Sequence, residues 1–249
     1  MPGARGSARV QFRLECHEVL ESTSSLVKQR ADSGEAEGLA IQALRQSAGR
    51  GRQGRGWESP AGNMYLSVLL RPDVPLRDAP QWSFVAAVAM AETLKLLLPR
   101  AATLSLKWPN DLLLQGAKAA GILVETGIAP SHTLDWICIG MGVNIISKPN
   151  LPDRPTACLA EYLGAPPAPD ALAQALLVSL AHWHGIRLQQ GFAPIRKAWL
   201  RHAPAMGAAI SLKRDGALLE GAFAGLSPEG GLLLAKGREV QLILAGEVI

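Results

Sequence analysis

The feature that most constrains this chain is a stretch that resists regular structure. Gly49–Gly62 carries five glycines, and Arg45, Arg50, Arg52 and Arg55 gather around it with no acid between Glu37 and Glu58. Glycine loses more backbone freedom on folding than any other residue, so the stretch reads as a loop. Apolar runs bracket it, residues 38–46 before and Met64–Leu70 after, the second closed by Arg71-Pro72-Asp73. The pattern is strand, loop, strand. A planar guanidinium binds carboxylate and phosphate oxygens through a two-pronged fork, so this loop suits an oxyanion. A solvated loop is the plainer reading.

Gly49-Arg50-Gly51-Arg52-Gln53-Gly54 satisfies G-x-G-x-x-G. A dinucleotide fold needs a helix to start there, so that its amides receive the pyrophosphate. Arg55-Gly56-Trp57-Glu58-Ser59-Pro60-Ala61-Gly62 follows instead, which makes no such helix. A Walker loop needs Lys and then Ser or Thr where Arg55 and Gly56 stand, and no H-R-D or D-F-G accompanies the loop as in a protein kinase. An arginine–glycine RNA-binding segment stays open.

Composition excludes whole classes. The 249 residues suffice for one large domain, or a domain with a small appendage. Hydrophobic residues at 48% and charged residues at 18% describe an ordinary globular chain. The longest apolar stretch, Trp82–Leu98, is interrupted by Glu92, Thr93 and Lys95, so it reads as a buried helix and not a membrane span. Met1–Val10 has arginines but no apolar core after them, unlike a secretion signal. Cys16, Cys138 and Cys158 are an odd set without paired spacing, which fits reduced thiols and a cytoplasmic protein. A net charge of +4 is modest for a nucleic-acid binder.

Along the chain, Gln81–Leu98 lacks Gly and Pro and stops at Pro99, as a helix does. Thr103–Trp108 alternates up to Pro109, whose ring favours an extended Trp108. Leu112–Leu114 and Ala119–Glu125 flank a hairpin turn at 115–118, and Leu134–Val143 is a further strand containing Cys138 as a core thiol. Asp170 is expected to cap a helix ending at Gln190 before Gly191, with a second helix over Phe192–His202. His182 and His184 point to different faces of that first helix and make a poor metal pair. From Gly207 on, Asp215-Gly216, Pro228-Glu229-Gly230-Gly231 and Lys236-Gly237 punctuate short apolar runs, the signature of a small all-β unit.

Four pieces then fall in order: Gln46–Trp57, Lys107-Trp108-Pro109-Asn110-Asp111, Lys118–Glu125 (K-A-A-G-I-L-V-E), and Gly140-Met141-Gly142-Val143-Asn144. With Ser22-Thr23 upstream, the chain resembles the biotin protein ligases, of the monofunctional type, from about residue 15 to the end. The resemblance implies an α+β fold: a mixed β-sheet with flanking helices, like that of class II synthetases, over residues 1–204. A small SH3-like β-barrel over 205–249 would follow.

It also implies a two-step reaction, in which biotin and MgATP give biotinyl-5′-AMP and pyrophosphate, and biotin then passes to a lysine of a biotin carboxyl carrier domain. No tightly bound prosthetic group is implied. Joining a carboxylate to an α-phosphate brings two anions together, so clamping and positioning dominate and no protein nucleophile is needed. Arg50 and Arg52 would neutralise charge on a loop that closes over the intermediate. By resemblance Lys118 is the catalytic lysine; spacing alone does not prefer it to Lys107. Ser22, Thr23, Ser24 and Gln46 would meet the ureido ring, while Gly49, Gly51, Gly121, Leu123, Gly140 and Gly142 line the biotin pocket. Arg55, Trp57, Lys107, Asn110, Asp111 and Asn144 would face ATP, with Asp111 beside Mg²⁺.

Each residue has a plainer role open to it. Ser22 or Thr23 would serve as a helix cap, Gly121 as a bulge, Trp57 and Trp108 as core, Lys107 as surface, Asp111 as a turn residue. Ser24 departs from the family's Asn, and Ala245-Gly246-Glu247 stands for its Gly-Gly-Glu. About fifteen residues precede the match, too few for the DNA-binding domain of bifunctional members, so no operator DNA is expected. A homodimer is open, and five glycines lead us to expect a disordered loop without ligand. The alternatives are a lipoate or octanoyl ligase, a catalytically dead biotin sensor, and an RNA-binding module.

Overall fold

A computed structural model describes residues 10–152, 154–214 and 216–248. The reading of Met1–Val10 falls outside these apart from Val10, and so does Asp215 of the expected turn. The first sheet contains β1 (Arg13–Leu20), β2 (Leu39–Gln46), β3 (Met64–Leu70), β4 (Leu104–Lys107), β5 (Asp111–Leu114), β6 (Ala117–Ile128) and β7 (Leu134–Val143). Their spatial order is β1-β2-β3-β7-β6-β5-β4. Only β1 and β2 pair in parallel, joined through helix α1 (Thr23–Asp32), so the sheet is mixed as expected. Between β5 and β6 the turn is Gln115-Gly116, with φ of 49° and 78°. Both residues are left-handed, as a two-residue hairpin turn requires.

Side-chain alternation divides the sheet into two faces. Met64, Leu66, Val68 and Leu70 of β3 and Ile137, Ile139, Met141 and Val143 of β7 are buried under α2 (Gln81–Leu97) and α3 (Pro169–Gln190). The opposite face is covered only in part. Leu39, Ile41, Leu69, Trp136 and Cys138 pack against Val27 and Ala31 of α1. A helix of ten residues is about 15 Å long, so its cover ends there, and the sheet beyond it lies open.

Helix α4 (Ala193–Leu200) is shorter than expected at both ends, and α3 is capped at Ala168 with Pro169 in its first turn. Proline suits that first turn because its missing N–H would be unpaired anyway. Asp170 therefore lies inside the helix. The strand expected to reach Trp108 stops at Lys107, where a turn through the cis Trp108–Pro109 bond begins.

The C-terminal strands are β8 (Ala209–Arg214), β9 (Ala217–Leu226), β10 (Leu232–Lys236), β11 (Glu239–Ile243) and β12 (Glu247–Val248). They form an all-antiparallel sheet in the order β11-β10-β9-β8-β12. The expected barrel is corrected on this point: the sheet is open, because two-residue β12 is too short to bridge back to β11. Its inner face joins the main core. Leu212, Phe223, Leu226 and Leu234 belong to the same buried cluster as Trp82, Phe84, Trp108 and Trp199. The Trp108 indole N–H donates to the Gly230 carbonyl at 3.1 Å.

Candidate active site

The open part of the sheet is a floor built row by row from three strands. Tyr65, Gly142 and Gly121 lie side by side, then Ser67, Gly140 and Leu123, then Leu69, Cys138 and Glu125. In the first row a Cβ on Gly142 would lie 2.8 Å from the Trp57 indole, and one on Gly121 2.9 Å from it. These two glycines are the slot in which Trp57 lies. In the second row a Cβ on Gly140 would come 2.7 Å from the Ser24 hydroxyl. The third row disappears under α1, where burial pushes the Cys138 thiol up to about 12 and makes it inert.

A chain of hydroxyls and amides closes one end. Thr23 Oγ1 and Ser67 Oγ are 2.7 Å apart, and Ser24 Oγ is 3.0 Å from Ser67 Oγ. Gln46 Oε1 accepts from the Thr23 amide N–H at 2.8 Å, and Gln46 Nε2 donates to Ser59 Oγ at 2.9 Å. Ser22 holds the cap position of α1 but makes no side-chain capping bond, so its hydroxyl is not committed to the helix. Ser24, where the family has Asn, pairs its hydroxyl with that of Ser67.

The glycine–arginine segment folds over this floor as a small hairpin. Gly51 N–H donates to Arg55 O at 2.7 Å and Trp57 N–H to Gly49 O at 2.9 Å, with a 3₁₀ turn over Arg52–Gly54. The space enclosed measures about 810 Å³. Every residue expected at the site lines it except Lys107.

The other end is cationic. Lys118 Nζ is 2.6 Å from Asp111 Oδ1, both side chains largely buried. Arg52 donates to Asn110 Oδ1 at 3.1 Å, and Asn110 Nδ2 to the Ile122 carbonyl at 2.7 Å, which ties the loop to β6. Burial lowers the Arg52 guanidinium below its ordinary value, with Glu247 and Asp111 pulling the other way. Lys107 stands opposite Asp111 in the β4–β5 ladder. Burial lowers its ammonium too, partly offset by Asp111. Asn144 spends its amide on the Ala157 carbonyl at 3.0 Å, and so fixes the backbone beside Lys118, which itself pairs with Thr156.

Among the lining residues that the sequence reading did not place at the site are Tyr65, Ser67, Arg154 and Glu247. Glu247 lies 2.8 Å from Arg55 and also pairs with Arg154, so β12 reaches the loop. Burial pushes its carboxyl up, but the hydrogen bonds from Arg55 and Arg154 win and hold it at about 2. The glutamate in Ala245-Gly246-Glu247 was the only signal for it. Tyr65 and Ser67 were signalled by alternation alone, since they face away from Met64, Leu66 and Val68.

The donor set was weighed for a metal ion. Among the described residues no three His, Cys, Asp or Glu side chains gather to hold one. Asp111, the carboxylate expected beside Mg²⁺, is instead held by Lys118. These residues do not fit a resident ion, and no chemistry is assigned to one.

Residues 16–144, which span β2, the loop and the floor, match the model of the biotin/lipoate A/B protein ligase family. The chain belongs to this family. It is 37% identical over 235 residues to the biotin–[acetyl-CoA-carboxylase] ligase of Paracoccus denitrificans, covering 88% of this chain and 97% of that protein. Against the bifunctional ligase/repressor BirA of Bacillus subtilis identity is 30%, over 99% of this chain and 79% of that one. In structure it is similar to the biotin protein ligase of Aquifex aeolicus in complex with biotin and ATP, with a TM-score of 0.78 and 26% identity, covering 95% of this chain and 97% of that one. In this chain the hydroxyl end, the glycine floor and the arginine loop line a single cavity.

Proposed function

We propose that this chain is an ATP-dependent biotin ligase that makes biotinyl-5′-AMP, releases pyrophosphate, and transfers biotin to a lysine of a biotin carboxyl carrier domain. The observation that carries the reading is the cavity's two unlike ends, neutral hydrogen-bonding groups at one and Lys118, Arg52, Arg55 and Arg154 at the other. A bicyclic head with a ureido group answers the first end, and a carboxylate meeting a triphosphate answers the second.

In the first step a carboxylate oxygen of biotin attacks the α-phosphorus of ATP, and the bond to the bridging oxygen breaks as pyrophosphate leaves. Arg50, Arg52 and Lys118 offset the charge of the two anions, and Lys118 is delivered by exchange from Asp111 to the reacting oxygens. The loop hairpin excludes water from the mixed anhydride. In the second step the ε-amine of the acceptor lysine attacks the acyl carbon, AMP leaves, and the amine loses its proton. Thr23, Ser24, Ser67 and Gln46 hold the ureido end, while Gly49 and Gly51 let the loop approach. Leu123 and the glycines carry the bicycle, and Trp57 separates it from adenine. Arg55, Arg154 and Lys107 set the field felt by the phosphates, and Asn110 and Asn144 hold the loop and the Lys118 strand in place.

A linear acyl chain carries no ureido group to exchange hydrogen bonds with the hydroxyl end, which disfavours a lipoate-type ligase. We assign residues 1–204 to substrate binding and catalysis and 205–249 to the covering β-unit that supplies Glu247. Cytoplasmic placement remains part of this reading. No helix among the described residues is long and apolar enough to cross a membrane.

The experiment is the mass of a purified biotin carrier domain after incubation with this protein, biotin and MgATP, beside Lys118→Ala. The expected result is one biotin added, and a rate for Lys118→Ala lower by about 100-fold or more, as for loss of a principal charge-stabilising group. No transfer by the wild-type chain would overturn the ligase reading, with biotin binding then separating a sensor from a lipoate-type enzyme.

A further inference from the structure

Glu125 closes the K-A-A-G-I-L-V-E piece, yet nothing above uses it. It follows Gly121 and Leu123 on the same sheet face by period two, and stands in register with Cys138, one row beyond the hydroxyl end. Its two oxygens serve two different elements, helix α1 and the loop. Oε1 accepts from Lys28 Nζ at 2.7 Å, and Oε2 lies 3.3 Å from the Arg50 guanidinium. Lys28 sits one helical turn after Ser24 on α1, and Arg50 sits at the base of the loop hairpin, bridged to Gly56. The geometry points to Glu125 as a positioning residue that clasps the loop to α1 and so sets the mouth of the pocket.

The charge on Glu125 is what makes it a clasp. Arg50 belongs to a segment rich in arginine, whose mutual repulsion favours an open loop. A carboxylate fixed on a strand attracts Arg50 inward and satisfies Lys28 at once. The side chains of Lys28, Glu125 and Arg50 are 27%, 24% and 38% exposed. The contacts are therefore partly screened, and each is of the size that biases a loop without locking it. Such a bias acts on the population of the closed loop and so on apparent affinity.

This inference rests on the ligase reading for its kinetic arm alone. Glu125→Gln keeps the shape and removes the charge; Lys28→Met removes one half of the clasp from the half-buried side of α1. In carrier biotinylation, Glu125→Gln is expected to raise the KM for biotin by about three- to ten-fold with kcat within about two-fold. Lys28→Met is expected to move KM the same way by less. In ligand-free protein, trypsin cleavage after Arg50, Arg52 and Arg55 should accelerate in Glu125→Gln, and saturating biotin with ATP should restore the wild-type rate. Unchanged KM together with unchanged cleavage in both variants overturns the clasp. A fall in kcat with KM unchanged also overturns it, since Glu125 would then act on the chemistry. Should Glu125→Gln fail to fold, Lys28→Met decides by the same two readouts. If the wild-type chain does not use biotin, the ligase reading fails while the cleavage arm still tests Glu125.

Discussion

Gly142→Ala tests whether the floor is glycine because Trp57 must lie on it. The added Cβ would sit 2.8 Å from Cε2 and Cζ2 of the indole, against about 3.5–4.0 Å for a relaxed carbon contact. The ring must therefore retreat by about 1 Å. Gly142 lies in an extended strand without positive φ, so its backbone accepts alanine and the whole penalty is steric. Overpacking of this kind costs about 1–3 kcal/mol. Trp57 is only half-buried and sits on the loop, so the cost falls on loop closure and not on the fold. We expect calorimetric biotin affinity to drop by about 5- to 150-fold, with Tm nearly unchanged. The decisive control is the double-mutant cycle with Trp57→Ala, where the new methyl has nothing to strike. A coupling of about 1 kcal/mol or more is expected. Equal losses with and without the indole, or no loss at all, would refute the argument.

Two further outcomes are expected. Glu247 has a carboxyl held at about 2 in the fold against 4.5 ordinarily, so its stabilising pairs with Arg55 and Arg154 are fully present above pH 4.5 and fade as pH falls toward 2. The difference in urea midpoint between wild type and Glu247→Gln should shrink across that window, and a constant difference would contradict the assignment. The loop amides of Gly51, Arg55 and Trp57 should exchange quickly without ligand and become protected with biotin and ATP, because only a few turn hydrogen bonds and screened ion pairs hold the hairpin. Strong protection in the ligand-free protein would refute this.

What was legible in the sequence was whatever a local pattern could encode. Residues 39–46, 81–97 and 134–143 have the spans that their periodicity and breakers announce. Strand β1 escaped because it is a sheet edge: its R-L-E-C-H-E-V-L mixes polar and apolar residues and is half-exposed along its length. The open C-terminal sheet escaped because closure depends on the length of a last strand, which hairpin signals do not report. At the site, motifs and resemblance led to the loop, Lys118 and the glycines. Ser67 did not stand out, since a serine in M-Y-L-S-V-L-L looks like an interruption of a core strand until the sheet shows which face it takes. Arg154 and Glu247 meet across 93 residues, and no spacing rule covers that distance.

The shared core beneath the two sheets bears on how such a chain is inherited. Gly230 packs against Phe84 and Phe192, Trp108 is hydrogen-bonded to it, and Arg196 donates to the Leu226 carbonyl. A descendant that lost the last five strands would bare the aromatic surface of Phe84, Trp108 and Trp199 to solvent. The sheet is thus no cassette to be shuffled between genes; it and the α2–α4 layer can only change in step, each substitution on one side inviting a compensating one on the other.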